Sequence, residues 1–160
     1  MKLVVKIGGQ AAEDAKSRRG LARQIATLRR SGHDVLVVHG GGKRLTEVLG
    51  QLGISTEFAG GLRVTNAATR DVALMVLAGV VNKQWVAEIE AQGQAALGLC
   101  GGDGKLMEAR KLMLRNGHGA SDLGYVGRPS RVNTAVLEMA FARRMVPVVA
   151  SLALGPRGEY

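Results

Sequence analysis

The chain is poor in cysteine, proline and aromatic residues: one Cys, three Pro, two Phe, two Tyr and one Trp in 160 residues. A lone Cys100 excludes an internal disulfide and points to a reducing compartment, so a cytoplasmic location is expected. With His33, His39 and His118 as the only histidines, no metal-ligand spacing exists, and no bound metal is expected. Phe58, Trp85, Tyr125, Phe141 and Tyr160 are scattered, whereas readers of single-stranded nucleic acid interleave aromatics with basic grooves. Long apolar runs are missing too. The uncharged stretches Val72 to Asn82 and Met145 to Pro156 fall short of the ~18–20 residues a membrane helix needs. Lys6 interrupts any signal-peptide core after Met1-Lys2. Neither nucleic-acid nor membrane partners are expected. Acidic residues are also scarce, 13 against 22 Lys and Arg, for a formal charge of +9. That balance fits small anionic substrates, or the loss of an acidic segment.

Apolar residues make up 46% of the chain and charged residues 22%, ordinary usage for a globular protein. A chain of this length buries roughly 70% of its unfolded surface, enough for one core. Glycine is abundant, 23 residues, about twice the usual ~7%. The chain opens with a strand, Lys2 to Ile7, closed by Gly8-Gly9. An amphipathic helix follows from Ser17 to Ser31, with Leu21, Ile25 and Leu28 on one face and Arg18, Arg19, Arg23, Arg29 and Arg30 elsewhere. Asp34 to Val38 is a second strand, running into His39-Gly40-Gly41-Gly42 and a helix from Lys43 to Gln51. Gly60-Gly61 centres a small hairpin within Ser55 to Thr65. Thr65 or Asn66 caps a long helix to about Ala91, apolar on nearly all sides from Val72 to Val81. Strands at Ala95 to Cys100 and Val146 to Ala150 flank short strands Lys105 to Leu114 and Gly124 to Arg131, a mobile Asn116 to Ser121 loop, and a helix Asn133 to Arg143. The alternation predicts one α/β domain over residues 1–160, a mainly parallel sheet between helices with a small hairpin region.

In open α/β sheets ligands sit beyond the carboxyl ends of the strands. Two of those ends are Lys6-Ile7-Gly8-Gly9 and His39-Gly40-Gly41-Gly42. Bare backbone there, with helix N-termini following, is a candidate oxyanion cradle; tight turns alone would also use glycine. No G-x-G-x-x-G or G-x-x-x-x-G-K-[ST] occurs, which rejects a simple Rossmann or P-loop assignment. Lys6 inside an apolar strand reaches a ligand or snorkels to the sheet rim. Arg63 can clamp a carboxylate or form a surface ion pair. His39 reads as a buried, backbone-bonded residue, Asp103 as a turn residue, and Asp122 as part of a solvated loop. Ser121 lacks triad partners.

Lys6-Ile7-Gly8-Gly9, Val37-Val38-His39-Gly40-Gly41-Gly42, Gly61-Leu62-Arg63-Val64-Thr65, Val81-Asn82-Lys83, Gly101-Gly102-Asp103-Gly104, Asp122 to Gly127 and Val146-Pro147-Val148-Val149 resemble, in order, segments of the acetylglutamate kinases within the amino-acid kinase family. G-L-R-V-T separates that branch from carbamate, uridylate and aspartate kinases. The resemblance implies a three-layer αβα fold and transfer of the γ-phosphoryl of ATP, with Mg2+, to the side-chain carboxylate of N-acetyl-L-glutamate in arginine biosynthesis. By the same resemblance Lys6 stabilises the transferring phosphoryl, and the Gly8, Gly9 and Gly41 amides hold its oxygens. Gly41 and Gly42 contact the amino acid, and Arg63 takes its α-carboxylate.

The resemblance stops before the family's N-x-N-A-D segment and second lobe, so the expectation is an amino-acid-binding lobe without the ATP site, inactive or incomplete alone. It also implies a homodimer through the Val72–Val81 helix, without the N-terminal helix of arginine-inhibited hexamers. Two alternatives stay open: a kinase for an amino acid linked to an acidic carrier protein, and a non-catalytic domain that binds small anions.

Overall fold

The computed structural model describes residues 1–8, 14–116 and 119–160, the side chains of 115–119 excepted. Four apolar runs form one parallel sheet in the order β1-β2-β8-β5: β1 (Lys2–Ile7), β2 (Asp34–His39), β8 (Val146–Ala150) and β5 (Ala96–Leu99). Alternation along the strands divides the core. Ile7, Val35, Val37, Val146, Val148 and Ala150 face one layer. Leu99 and Val149 face the other, with Leu36 and Leu97 packed beside them. The first layer is α1 (Ala15–Arg30), α2 (Gly42–Gln51) and a continuous helix of α3 (Ala67–Ala73), a π-helical segment (Leu74–Val81) and α4 (Asn82–Glu90). The second is α5 (Ala135–Ala142), through Leu137. The expected αβα sandwich is thus present.

Local chemistry explains the helix ends. Asp14 caps α1 by accepting from the Ser17 N–H at 2.7 Å, and Asn66, one of the two expected caps, accepts from the Thr69 N–H at 2.9 Å. Gly32 ends the turn after α1 at φ +89°. Arg29, placed by periodicity among the polar positions, is instead buried. It donates to the His33 and Phe141 carbonyls at 2.9 and 3.2 Å and pairs with Asp34 at 3.1 Å. An arginine satisfied on several sides can enter a core that spacing alone denies it.

The helix over Ala67–Glu90 is long and apolar enough to cross a membrane by length and composition, although its uncharged run alone is too short. Val72, Val76, Leu77, Val81, Trp85 and Ile89 are buried against the sheet, as a core helix requires.

The hairpin of β3 (Phe58–Ala59) and β4 (Leu62–Arg63) forms around Gly60-Gly61 as expected. A second, longer hairpin differs from the sequence reading. β6 (Met107–Asn116) and β7 (Gly119–Val132) extend into the stretch read as a mobile loop, and Asp122 lies within β7. Residues 117–118 lie outside the described set. Cross-strand pairing supplies the order here: Lys111 and Asp122 form an ion pair at 2.6 Å. β7 is stitched to the segment after β4 by Thr65 N–H to Leu123 O, 2.8 Å, and Tyr125 N–H to Thr65 O, 2.7 Å. The tail after β8 is held on β6 through Leu154 and Met107.

Candidate functional site

The carboxyl ends of β1 and β2 lie side by side. Ile7 pairs with His39 in register, and the Gly40 N–H donates to the Ile7 carbonyl at 3.3 Å. A cavity of about 320 Å³ opens there, lined by Ile7, Gly8, Gly40, Gly41, Gly42 and Trp85 among others. A Cβ built at Gly8, Gly40 or Gly42 would meet nothing within 4 Å. Gly41 differs: its Cβ would press on Leu77 Cδ2 at 2.7 Å. Three of these glycines therefore border free space, and one lets the turn lie on the π-helical segment. α2 begins at Gly42 with Gly41 as its N-cap and no side-chain cap, leaving its first amides for another acceptor. Gly9, also expected at this end, lies outside the described residues.

Arg63 comes to the same place from the β3–β4 hairpin. Its Nη2 donates to Thr46 Oγ1 at 2.7 Å and more weakly to the Gly42 carbonyl at 3.4 Å. Thr46 in turn donates to Gly42 O at 2.8 Å. The guanidinium lies 4.6 Å from the Phe58 ring centroid, a stacking contact that sets its plane. Nη1 is buried and has no partner among the described residues. Burial pushes the Arg63 pKa below its ordinary value, yet a guanidinium stays charged at neutral pH. Arg63 does not line the smaller cavity; it lines a second one of about 720 Å³, walled by β6, β7 and the tail after β8.

Lys6 is less engaged. Its side chain is exposed, on the face of β1 opposite Ile7 by strand alternation, and it lines neither cavity. No ion pair or hydrogen bond engages it among the described residues. Of the expected site residues, then, the fold gathers Gly8, Gly41, Gly42 and Arg63 and leaves Lys6 at the rim of the sheet.

Sequence reasoning missed three residues here. Thr46, one helical turn after Gly42, couples Arg63 to the glycine turn. Trp85 lines the smaller cavity with a buried indole N–H that has no partner among the described residues. Asn82 is buried beneath His39, its Nδ2 3.0 Å from His39 Nε2. Its segment, Val81-Asn82-Lys83, is among those that carry the family resemblance, but no role for the asparagine was read from it. His39 itself is buried, its Nδ1 2.8 Å from the Gly40 carbonyl, in keeping with the backbone-bonded reading. Asp103 accepts from the Cys100 N–H at 2.6 Å, a turn role as expected. Among the described residues no group of three His, Cys, Asp or Glu could hold a metal ion.

Residues 1–160 match the amino acid kinase family over their whole length. The chain belongs to that family. It is 51% identical over 160 residues to an acetylglutamate kinase of Koribacter versatilis and 49% identical to one of Acidobacterium capsulatum. The alignments cover all of this chain but only 59% and 60% of those relatives. Among solved structures, smu.665 from Streptococcus mutans UA159 superposes with a TM-score of 0.84 at 25% identity, over 99% of this chain and 61% of that one. N-acetylglutamate synthase from Neisseria gonorrhoeae, complexed with coenzyme A and N-acetyl-glutamate, gives 0.79 at 23% identity, over 99% of this chain and 35% of that one. The second likeness is one of fold. The amino-acid-kinase architecture thus rests on both sequence and shape.

Proposed function

We propose that this chain forms the acetylglutamate-binding half of an acetylglutamate kinase, acting with a nucleotide-binding lobe of the kind its family resemblance implies. The observation that carries this reading is Arg63. One edge of its guanidinium is fastened to Thr46 and Gly42, and the other holds a buried N–H without a partner among the described residues. A carboxylate satisfies such a group best, through charge-assisted hydrogen bonds. The substrate's α-carboxylate on Arg63 would direct its remaining length toward the Gly41 and Gly42 end.

The chemistry asks little more of these residues than placement. A side-chain carboxylate has an ordinary pKa of about 4.3 and is already an anion at neutral pH, so no general base is needed. Catalysis then consists of alignment and neutralisation of phosphoryl charge. The Gly8, Gly9 and Gly41 amides would hold phosphoryl oxygens, with Lys6 adding positive charge. ATP would arrive as its Mg2+ complex, and no residue of this chain is assigned to the metal. An exposed lysine at the strand rim can turn toward a phosphoryl group once one is bound.

Calorimetric titration of the chain with N-acetyl-L-glutamate tests the reading. Weak binding is expected, abolished by Arg63→Ala, with little heat from ATP. Affinity that survives Arg63→Ala would overturn it. In a chain extended by the remaining family sequence, Lys6→Ala should lower turnover far more than substrate affinity.

A homodimer belongs to the same proposal. Most of the Val72–Val81 segment packs within the chain, but Met75 and Val80 remain 60% and 43% exposed. A second copy would cover them. Sedimentation should show a dimer that Met75→Glu converts to monomer; a monomeric wild type would remove this part.

A further inference from the structure

The glycine turn rests on a buried polar pair that the chemistry above does not use. Asn82 is 1% exposed and His39 1%. The Asn82 Nδ2 lies 2.9 Å from the Val148 carbonyl, 3.3 Å from the Leu99 carbonyl and 3.0 Å from His39 Nε2. Two of those neighbours are carbonyl oxygens, which can only accept. The amide nitrogen therefore faces all three, and a flipped amide would set oxygen against oxygen. Its Oδ1 accepts from Lys83 Nζ at 3.4 Å, on the opposite side. Gly98 makes room for this arrangement, since a Cβ there would collide with Asn82 Oδ1.

The consequence for His39 is a definite tautomer. The two amide hydrogens serve the nearer pair, the Val148 carbonyl and His39 Nε2, and Nδ1 faces the Gly40 carbonyl, which can only accept, 2.8 Å away; both contacts put the ring proton on Nδ1 and leave Nε2 to accept. The described chain has no cis peptide bond. In a planar trans peptide the carbonyl and the next N–H point in opposite directions. With the Gly40 carbonyl held by the buried ring, the Gly41 N–H points away from it. That N–H has no acceptor among the described residues, and Gly41 lines the smaller cavity.

We infer that Asn82 and His39 form a positioning relay: Asn82 sets the His39 tautomer, His39 holds the Gly40 carbonyl, and the Gly41 amide is thereby presented to an anion. This rests on the reading that the glycine turn receives an oxyanion. The two residues touch neither substrate nor phosphoryl. They act through one peptide plane, and they explain why a histidine precedes three glycines and why a buried asparagine follows the apolar Val72–Val81 run.

Imidazole 15N shifts of the wild-type chain at neutral pH test the first link without any variant. A proton on Nδ1 and none on Nε2 is expected; an Nε2–H form or an imidazolium overturns the relay. Two substitutions test the second link. A glutamine can both accept from Asn82 and donate to Gly40, so His39→Gln should keep acetylglutamate affinity within about threefold, whereas His39→Leu should weaken it about tenfold. Leucine binding as tightly as histidine would overturn the relay. Should His39→Leu fail to fold, Asn82→Ala replaces it. It removes the N–H donor that Nε2 accepts and frees the ring, so the Gly41 amide resonance should move; an unmoved resonance overturns the proposal. If the wild type binds no acetylglutamate while the tautomer and the Gly41 resonance behave as expected, the substrate reading fails and the relay stands.

Discussion

The chain bends through glycine at the ends of β1 and β2 and again at the end of β5, and the neighbours of these bends differ. Beyond β1 and β2, Gly8, Gly40 and Gly42 border open space. Beyond β5, Gly101 lies against the Leu152 carbonyl and Gly102 against the Tyr160 hydroxyl, so that a Cβ on either would collide. Asp103 then caps the Cys100 N–H. At the first two ends glycine leaves room for something outside the chain. At the third it leaves room for the chain's own tail. The same residue type at equivalent places in one sheet thus serves a cavity in one region and close backbone packing in another.

The contrast breaks most visibly at Gly101. Gly101→Ala drives a methyl into the Leu152 backbone and should cost about 1–3 kcal/mol, lowering Tm by roughly 3–10 °C in calorimetry. An unchanged Tm would mean that this end is as open as the others. Gly8→Ala should do the reverse. Stability should stay within about 0.5 kcal/mol, while turnover of a chain extended by the remaining family sequence should fall about tenfold. Unchanged turnover would take Gly8 out of the cradle.

His39 sharpens the comparison beneath the open end. Burial depresses its pKa from the ordinary 6.5, so the unfolded chain takes up the proton first. The stability this contributes is present above pH 6.5 and is lost as pH falls through the depressed value. Urea unfolding should accordingly show less stability at acid pH, with a shallower dependence in His39→Gln.

The smallest effect belongs to the closed end. Hydrogen bonding to Cys100, followed by burial, pushes the Tyr160 phenol up to about 12. A raised phenol pKa favours the neutral fold, so this contribution holds below pH 10 and is lost as pH climbs toward 12. Tyrosinate absorbance of the folded chain should show that late ionisation, and Tyr160→Phe should remove it while changing stability by about 0.5–1.5 kcal/mol.

Much of this fold can be read locally. Apolar runs mark β1, β2, β5 and β8, the first three running into glycine, and a Thr65 or Asn66 cap marks the start of the long helix, because strand period, turn chemistry and capping act over a few residues. Local pattern alone shortens the β6–β7 hairpin, since its order comes from cross-strand pairs such as Lys111–Asp122 and from Thr65 stitching the hairpin to a distant loop. Arg29 was misplaced because three of its partners, Asp34, Phe141 and the His33 carbonyl, lie beyond its own helix.

The candidate site divides in the same way. Its ingredients, two glycine-rich strand ends, a histidine before one of them and Arg63 in a hairpin, stand in the amino-acid order itself, because each needs only a local bend or a residue type. Which glycines face a cavity, that Thr46 holds Arg63 against Gly42, and that Asn82 lies under His39 depended on the packing of segments far apart in the chain. Collision, burial and hydrogen-bond direction are properties of neighbours in space, and only the folded sheet and its helices supply those neighbours.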